Sequence, residues 1–103
     1  MENWIKAMPV ENLKSGSQLF VHNGKRIALF KLDDGIFAID DECSHANASL
    51  SEGWIEEGQV ECPQHGARFD IRTGKNLRFP AVTPVAAYPT KIVDGFVFVS
   101  FEN

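Results

Sequence analysis

Cys43-Ser44-His45 and Cys62-Pro63-Gln64-His65 are the stretches on which the reading of this chain turns. Each offers one thiolate and one imidazole, and together they use both cysteines and two of the three histidines. Sixteen residues lie between His45 and Cys62, so the two pairs sit on separate loops that the fold must bring together. A zinc finger usually groups like with like, two Cys at one knuckle and two His on a helix. Mixed pairs suit a centre of two irons and two sulfides, with Cys on one iron and His on the other. A Cys43–Cys62 disulfide would ignore the histidines placed at fixed offsets beside the thiols.

In a loop, residues two or three apart can turn both side chains towards one point, which is what C-x-H and C-x2-H require. Gly66 follows His65 and tolerates positive φ or a close backbone approach. Pro63 fixes the backbone just after Cys62 and removes one N–H donor. The loop is therefore expected to be rigid, with its remaining amides free to point at sulfur, a lever on reduction potential.

Working outward, turn signals recur: Ser15-Gly16, Asn23-Gly24, Asp33-Asp34-Gly35, Glu57-Gly58, Thr73-Gly74 and Asp94-Gly95. Between them lie short segments rich in Val, Ile and Phe: 18–22, 26–31, 36–39, 91–93 and 96–101. This rhythm predicts an all-β chain of antiparallel hairpins, a sandwich or barrel. In 96–101, Phe96 and Phe98 face one side while Val97, Val99 and Phe101 face the other, so this strand is expected to be central. The only helical candidate is a turn near 9–13. A hairpin around Trp54 to Glu61 is expected between the two Cys/His loops.

At 103 residues and 11.5 kDa the chain is expected to form one domain, 1–103, with a small cluster-binding subdomain at about 42–69 inserted in the β-base. A net charge of -4 and a pI near 5.2 argue against nucleic acid and favour a basic patch on a protein partner. Residues 1–8 show no apolar core of a secretory signal, and no apolar run is long enough to span a bilayer. A cytoplasmic location away from membranes is expected.

The double box resembles that of Rieske [2Fe-2S] proteins. The likeness continues through Leu50-Ser51-Glu52-Gly53 and residues 68–75 to Leu77-Arg78-Phe79-Pro80-Ala81, which is similar to the proline-containing third loop of that family. The resemblance implies that Cys43 and Cys62 bind one iron and His45 and His65 the other. It implies a Rieske-type fold, a single [2Fe-2S] cluster, and imidazoles at the protein tip. The length is similar to that of the ferredoxin component of multicomponent aromatic-ring dioxygenases. In the respiratory branch an added cysteine in each box forms a bridging disulfide. Here that second-box position is Gln64 and no third cysteine exists. Ala67 and Phe69 stand where that branch carries hydroxyl donors, which implies a potential near the low end of the Rieske range, roughly -150 mV.

A Rieske oxygenase also needs a mononuclear iron on two histidines and a carboxylate. With His45 and His65 on the cluster only His22 remains, so the chain is expected to be a non-enzymatic one-electron carrier. The expected partners are an NAD(P)H-dependent flavoprotein reductase and a terminal Rieske oxygenase, met transiently by a monomer. The alternatives are a Rieske-type small subunit of a nitrite-reductase-like complex and a zinc-stabilised interaction domain. Outside the ligands, His22 is expected to be solvated at a hairpin end. Trp54 is expected to pack under the cluster loops. Asp40-Asp41-Glu42 either steers a basic partner or forms a solvated strand end.

Overall fold

The computed structural model describes residues 4–43, 48–64, 66–79, 81 and 83–101. Strand β1 (Trp4–Pro9) runs into a 3-10 turn (Val10–Leu13) and is followed by β2 (Ser17–His22), β3 (Lys25–Leu32) and β4 (Gly35–Asp40). A second 3-10 turn (Leu50–Glu52) leads to β5 (Trp54–Glu56), β6 (Gln59–Glu61), β7 (Arg68–Asp70) and β8 (Asn76–Arg78). The chain closes with β9 (Ala87–Tyr88), β10 (Thr90–Val93) and β11 (Phe96–Ser100). Every strand pairing is antiparallel, so the expected all-β class holds.

Among the described residues three sheets form, in the orders β1-β11-β10, β2-β3-β4-β9 and β5-β6-β7-β8. The last strand is central, as both of its apolar faces predict, with Val97 and Val99 fully buried. The second sheet is the middle layer. On β3, Ile27 and Leu29 enter a core with Val97, Val99 and Leu13, whereas Ala28 and Phe30 enter another with Val60, Phe69, Leu50, Cys43 and Cys62. A strand buried on both faces needs a continuous apolar run, and Ile27-Ala28-Leu29-Phe30 is one.

Two-residue turns set the registers. Asn23-Gly24 joins β2 to β3, Glu57-Gly58 joins β5 to β6 and Asp94-Gly95 joins β10 to β11, with positive φ at both residues of each. That is the type I′ pattern, whose twist matches the strands it connects. Because β6 and β7 are also paired, with Val60 opposite Phe69, the connection between them is held as a tight loop beside the second core.

Candidate metal centre

Cys43 and Cys62 both lie in this second core, at 3% and 2% exposure, and neither is in a disulfide. Their loops close in the same way. The Cys43 N–H donates to the Ala48 carbonyl at 3.0 Å, and the Cys62 N–H to the Ala67 carbonyl at 2.7 Å. One step outside each bond is a cross-strand pair, Glu42 with Ser49 and Glu61 with Arg68. Each cysteine is therefore the first residue of a matched loop, with the backbone pinned on both sides. Gly66 takes φ +73, the positive value that a glycine after His65 tolerates.

The first loop is held by Asp41, whose carboxylate is fully buried. Its Oδ2 accepts from Arg26 Nη2 at 2.8 Å and Ser49 Oγ at 2.6 Å, and its Oδ1 accepts from the Ser51 N–H at 2.8 Å. The Leu50 N–H also donates to the Asp41 carbonyl. Three points after the loop are thus tied to one residue before it, and the buried charge is compensated by charge-assisted bonds. A cleft of about 380 Å³ runs between the loops, lined by Arg26, Glu42, Ser49, Glu52, Pro63 and Gln64 among others.

The second loop is braced from its outer side. Arg68 reaches Glu61 at 3.0 Å and Glu56 at 3.1 Å, and Arg78 approaches Glu61 at 3.6 Å. The carboxylates of Glu56 and Glu61 raise the Arg68 guanidinium above its ordinary pKa. Ala67 and Phe69 are completely buried behind this ladder.

Of the four expected ligands, Cys43 and Cys62 fall in one core on equivalent loops, while His45 and His65 lie outside the described residues. Among the described residues no group of three or more His, Cys, Asp and Glu gathers as a metal site. The donor chemistry fits a thiolate-bound iron: two buried, reduced thiols are held by pinned backbone, with no bridge between them. The Rieske [2Fe-2S] domain family matches residues 3–89. The chain belongs to this family.

Relatives match the chain along nearly its whole length. The 3-phenylpropionate/cinnamic acid dioxygenase ferredoxin subunit of Shigella flexneri serotype 5b is 43% identical, over 98% of this chain and 96% of the relative. The subunit of the same name from Photorhabdus laumondii is 47% identical, over 91% and 90%. Among solved Rieske structures, the ferredoxin of carbazole 1,9a-dioxygenase from Nocardioides aromaticivorans superposes with a TM-score of 0.90 at 31% identity, covering 97% of this chain and 99% of that one. A complex of reduced oxygenase and oxidized ferredoxin in carbazole 1,9a-dioxygenase contains a chain that matches with a TM-score of 0.90 at 28% identity, covering 100% and 97%.

Three expectations about residues outside the Rieske boxes are corrected. Trp54 does not pack under the loops; it is 72% exposed, because Ile55 takes the inward position of β5. Asp40-Asp41-Glu42 is not a solvated strand end, because its central carboxylate is buried. Asp41 is the buried latch, Asp40 accepts from the Tyr88 hydroxyl at 2.6 Å and the Ala86 N–H at 3.1 Å, and only Glu42 is exposed. His22 does sit at the β2–β3 hairpin end but is half-buried, stacked between Phe20 and Phe101 with ring centroids at 6.2 and 5.6 Å. The latch partners Arg26, Ser49 and Ser51 escaped the sequence reading. Ser49-Leu50-Ser51, with polar residues on either side of a buried Leu, was the available signal.

Proposed function

We propose that this chain is a one-electron carrier of a multicomponent aromatic-ring dioxygenase system, a Rieske-type ferredoxin and not a catalytic subunit. The observation that carries the reading is the matched pair of pinned loops, each beginning with a buried, unbridged cysteine. Cys43 and Cys62 would hold one iron of the [2Fe-2S] cluster and His45 and His65 the other, in a cluster-binding part spanning about 42–69. When bound, the cluster supplies a reversible one-electron couple.

The chain's own residues do the rest. Asp41 and the Glu61–Arg68 pair fix the loops, so little rearrangement accompanies electron transfer. Burial of Cys43 and Cys62 keeps water from the thiolate side. The electron source is proposed to be an NAD(P)H-dependent flavoprotein reductase and the acceptor a terminal Rieske oxygenase, each met by a cytoplasmic monomer through a short-lived contact. The family membership sets aside the zinc module. The free carrier is preferred to a nitrite-reductase-like subunit because relatives at 43% and 47% identity are dioxygenase ferredoxin subunits.

The test is purification followed by iron and acid-labile sulfide analysis, electron paramagnetic resonance of the reduced protein, and reconstitution with a reductase and an oxygenase of this class. Two irons and two sulfides per chain, and turnover that depends on the chain, are expected. Cys43→Ser and His45→Ala should each abolish the native signal. A colourless, zinc-loaded protein would overturn the reading.

A further inference from the structure

Glu61, Arg68 and Arg78 form one cross-strand row, since Glu61 is opposite Arg68 and Arg68 opposite Arg78. The row is the last before the second loop, because Glu61 immediately precedes Cys62. Two of its charges lean over that loop. A Cβ placed on Gly66, the residue after His65, would lie 3.7 Å from Glu61 Oε2 and 4.0 Å from Arg78 Nη1. Arg68 is already committed to Glu56 and Glu61, whereas the 3.6 Å approach to Glu61 is the ion pair of Arg78 among the described residues.

A carboxylate and a guanidinium thus stand beside the backbone of the second ligand loop, both partly solvated, at 32% and 57% side-chain exposure. An exposed pair of this kind adds little to stability. Its effect on a neighbouring redox centre is another matter. Reduction adds one negative charge to the cluster, and fixed charges nearby shift the balance with a sign set by their own.

We propose that Glu61 and Arg78 set the reduction potential by opposed electrostatic effects, the carboxylate disfavouring the reduced cluster and the guanidinium favouring it. Both act through their charge, and neither belongs to the proposed ligand set. The inference rests on the carrier reading above and deepens it, since the potential decides which donors and acceptors the chain can serve.

Potentiometric titration of the full-length, cluster-loaded protein tests it, with Glu61→Gln, Arg78→Gln and Arg78→Lys compared. Glu61→Gln should raise the midpoint and Arg78→Gln lower it. Each should change the reduced-to-oxidised ratio at a fixed poise by about threefold, or about 28 mV at 59 mV per decade for one electron. Arg78→Lys keeps the charge and should stay at the wild-type value, and the shifts should shrink at high salt. A role confined to bracing the loop would move both Gln variants the same way, together with iron loss and an altered resonance spectrum. Shifts of one sign, or no shift in variants that keep two irons, overturn the proposal. Failure of the wild-type protein to bind iron and sulfide at all would instead overturn the carrier reading.

Discussion

Asp41 shows how much of the site rests on one side chain that is no ligand. Deleting its carboxylate in Asp41→Ala leaves Ser49 Oγ and the Ser51 N–H without their acceptor, and frees Arg26 to solvent. Losing bonds to a buried charged group costs about 3 kcal/mol in total, and the first loop loses its tie. The expected outcome is that loss in a urea titration, with a fall in iron content on purification. Ser49→Ala removes the bond to Asp41 Oδ2 and the one shared with Ser51 Oγ, leaves Asp41 its Arg26 and Ser51 N–H donors, and should cost about 2 kcal/mol. Nothing in Asp40-Asp41-Glu42 distinguishes the buried member, because its partners come from β3 and from beyond the loop. Trp54 is the opposite case, since Trp54-Ile55-Glu56 alternates and Glu56 must face water, so the outward side of Trp54 was legible. Trp54→Ala is accordingly expected to change stability by less than about 0.5 kcal/mol. Phe69→Ala, across the sheet and fully buried, should cost about 3–5 kcal/mol. Comparable losses in the two variants would contradict the assigned faces.

At the scale of the element, the X-Gly pairs were legible as turns, and three of them prove to be type I′, where the backbone demands left-handed φ at two successive residues. Asn23 and Asp94 meet that demand with short polar side chains, but Glu57 meets it at φ 52 with a long one. Left-handed backbone costs L-residues roughly 1–2 kcal/mol, less for Asn. Glu57→Asn should therefore stabilise the protein by about 1 kcal/mol, read as a higher urea midpoint at unchanged slope. No gain would mean that Glu57 makes a compensating contact. The strands bounded by such turns were located to within a residue or two. β1 was not, because a bulge between Lys6 and Met8 breaks its alternation. β7, β8 and β9 are two or three residues long and exist only through pairing to neighbours, a property no local pattern carries.

On the scale of the whole molecule, the middle sheet separates two cores, and the thiols belong to one of them. The double box was readable from spacing alone, but its placement was not, because the burial of Cys43 and Cys62 depends on Ala28, Phe30 and Ile39 across the layer. This division decides how the protein should respond to loss of its iron and sulfide. Cluster binding is favourable only in the folded state, so its free energy is added to the stability of the elements that build the site. On the proposed ligand set those elements would be β6, β7 and the loop ends, whose Val60, Phe69, Cys43 and Cys62 share a core with Ala28 and Phe30 of β3. On the far side Leu13, Val97 and Val99 belong to the other core, and β11 keeps its hydrogen bonds to both β1 and β10. Hydrogen exchange on the apo-protein should therefore show amides of Val60 and Phe69 losing at least about tenfold in protection, or 1.4 kcal/mol. Amides of Val97 and Val99 should change far less. An equal loss in both places would mean that the cores unfold as one cooperative unit, and that the cluster stabilises the whole chain and not merely the layer that holds it.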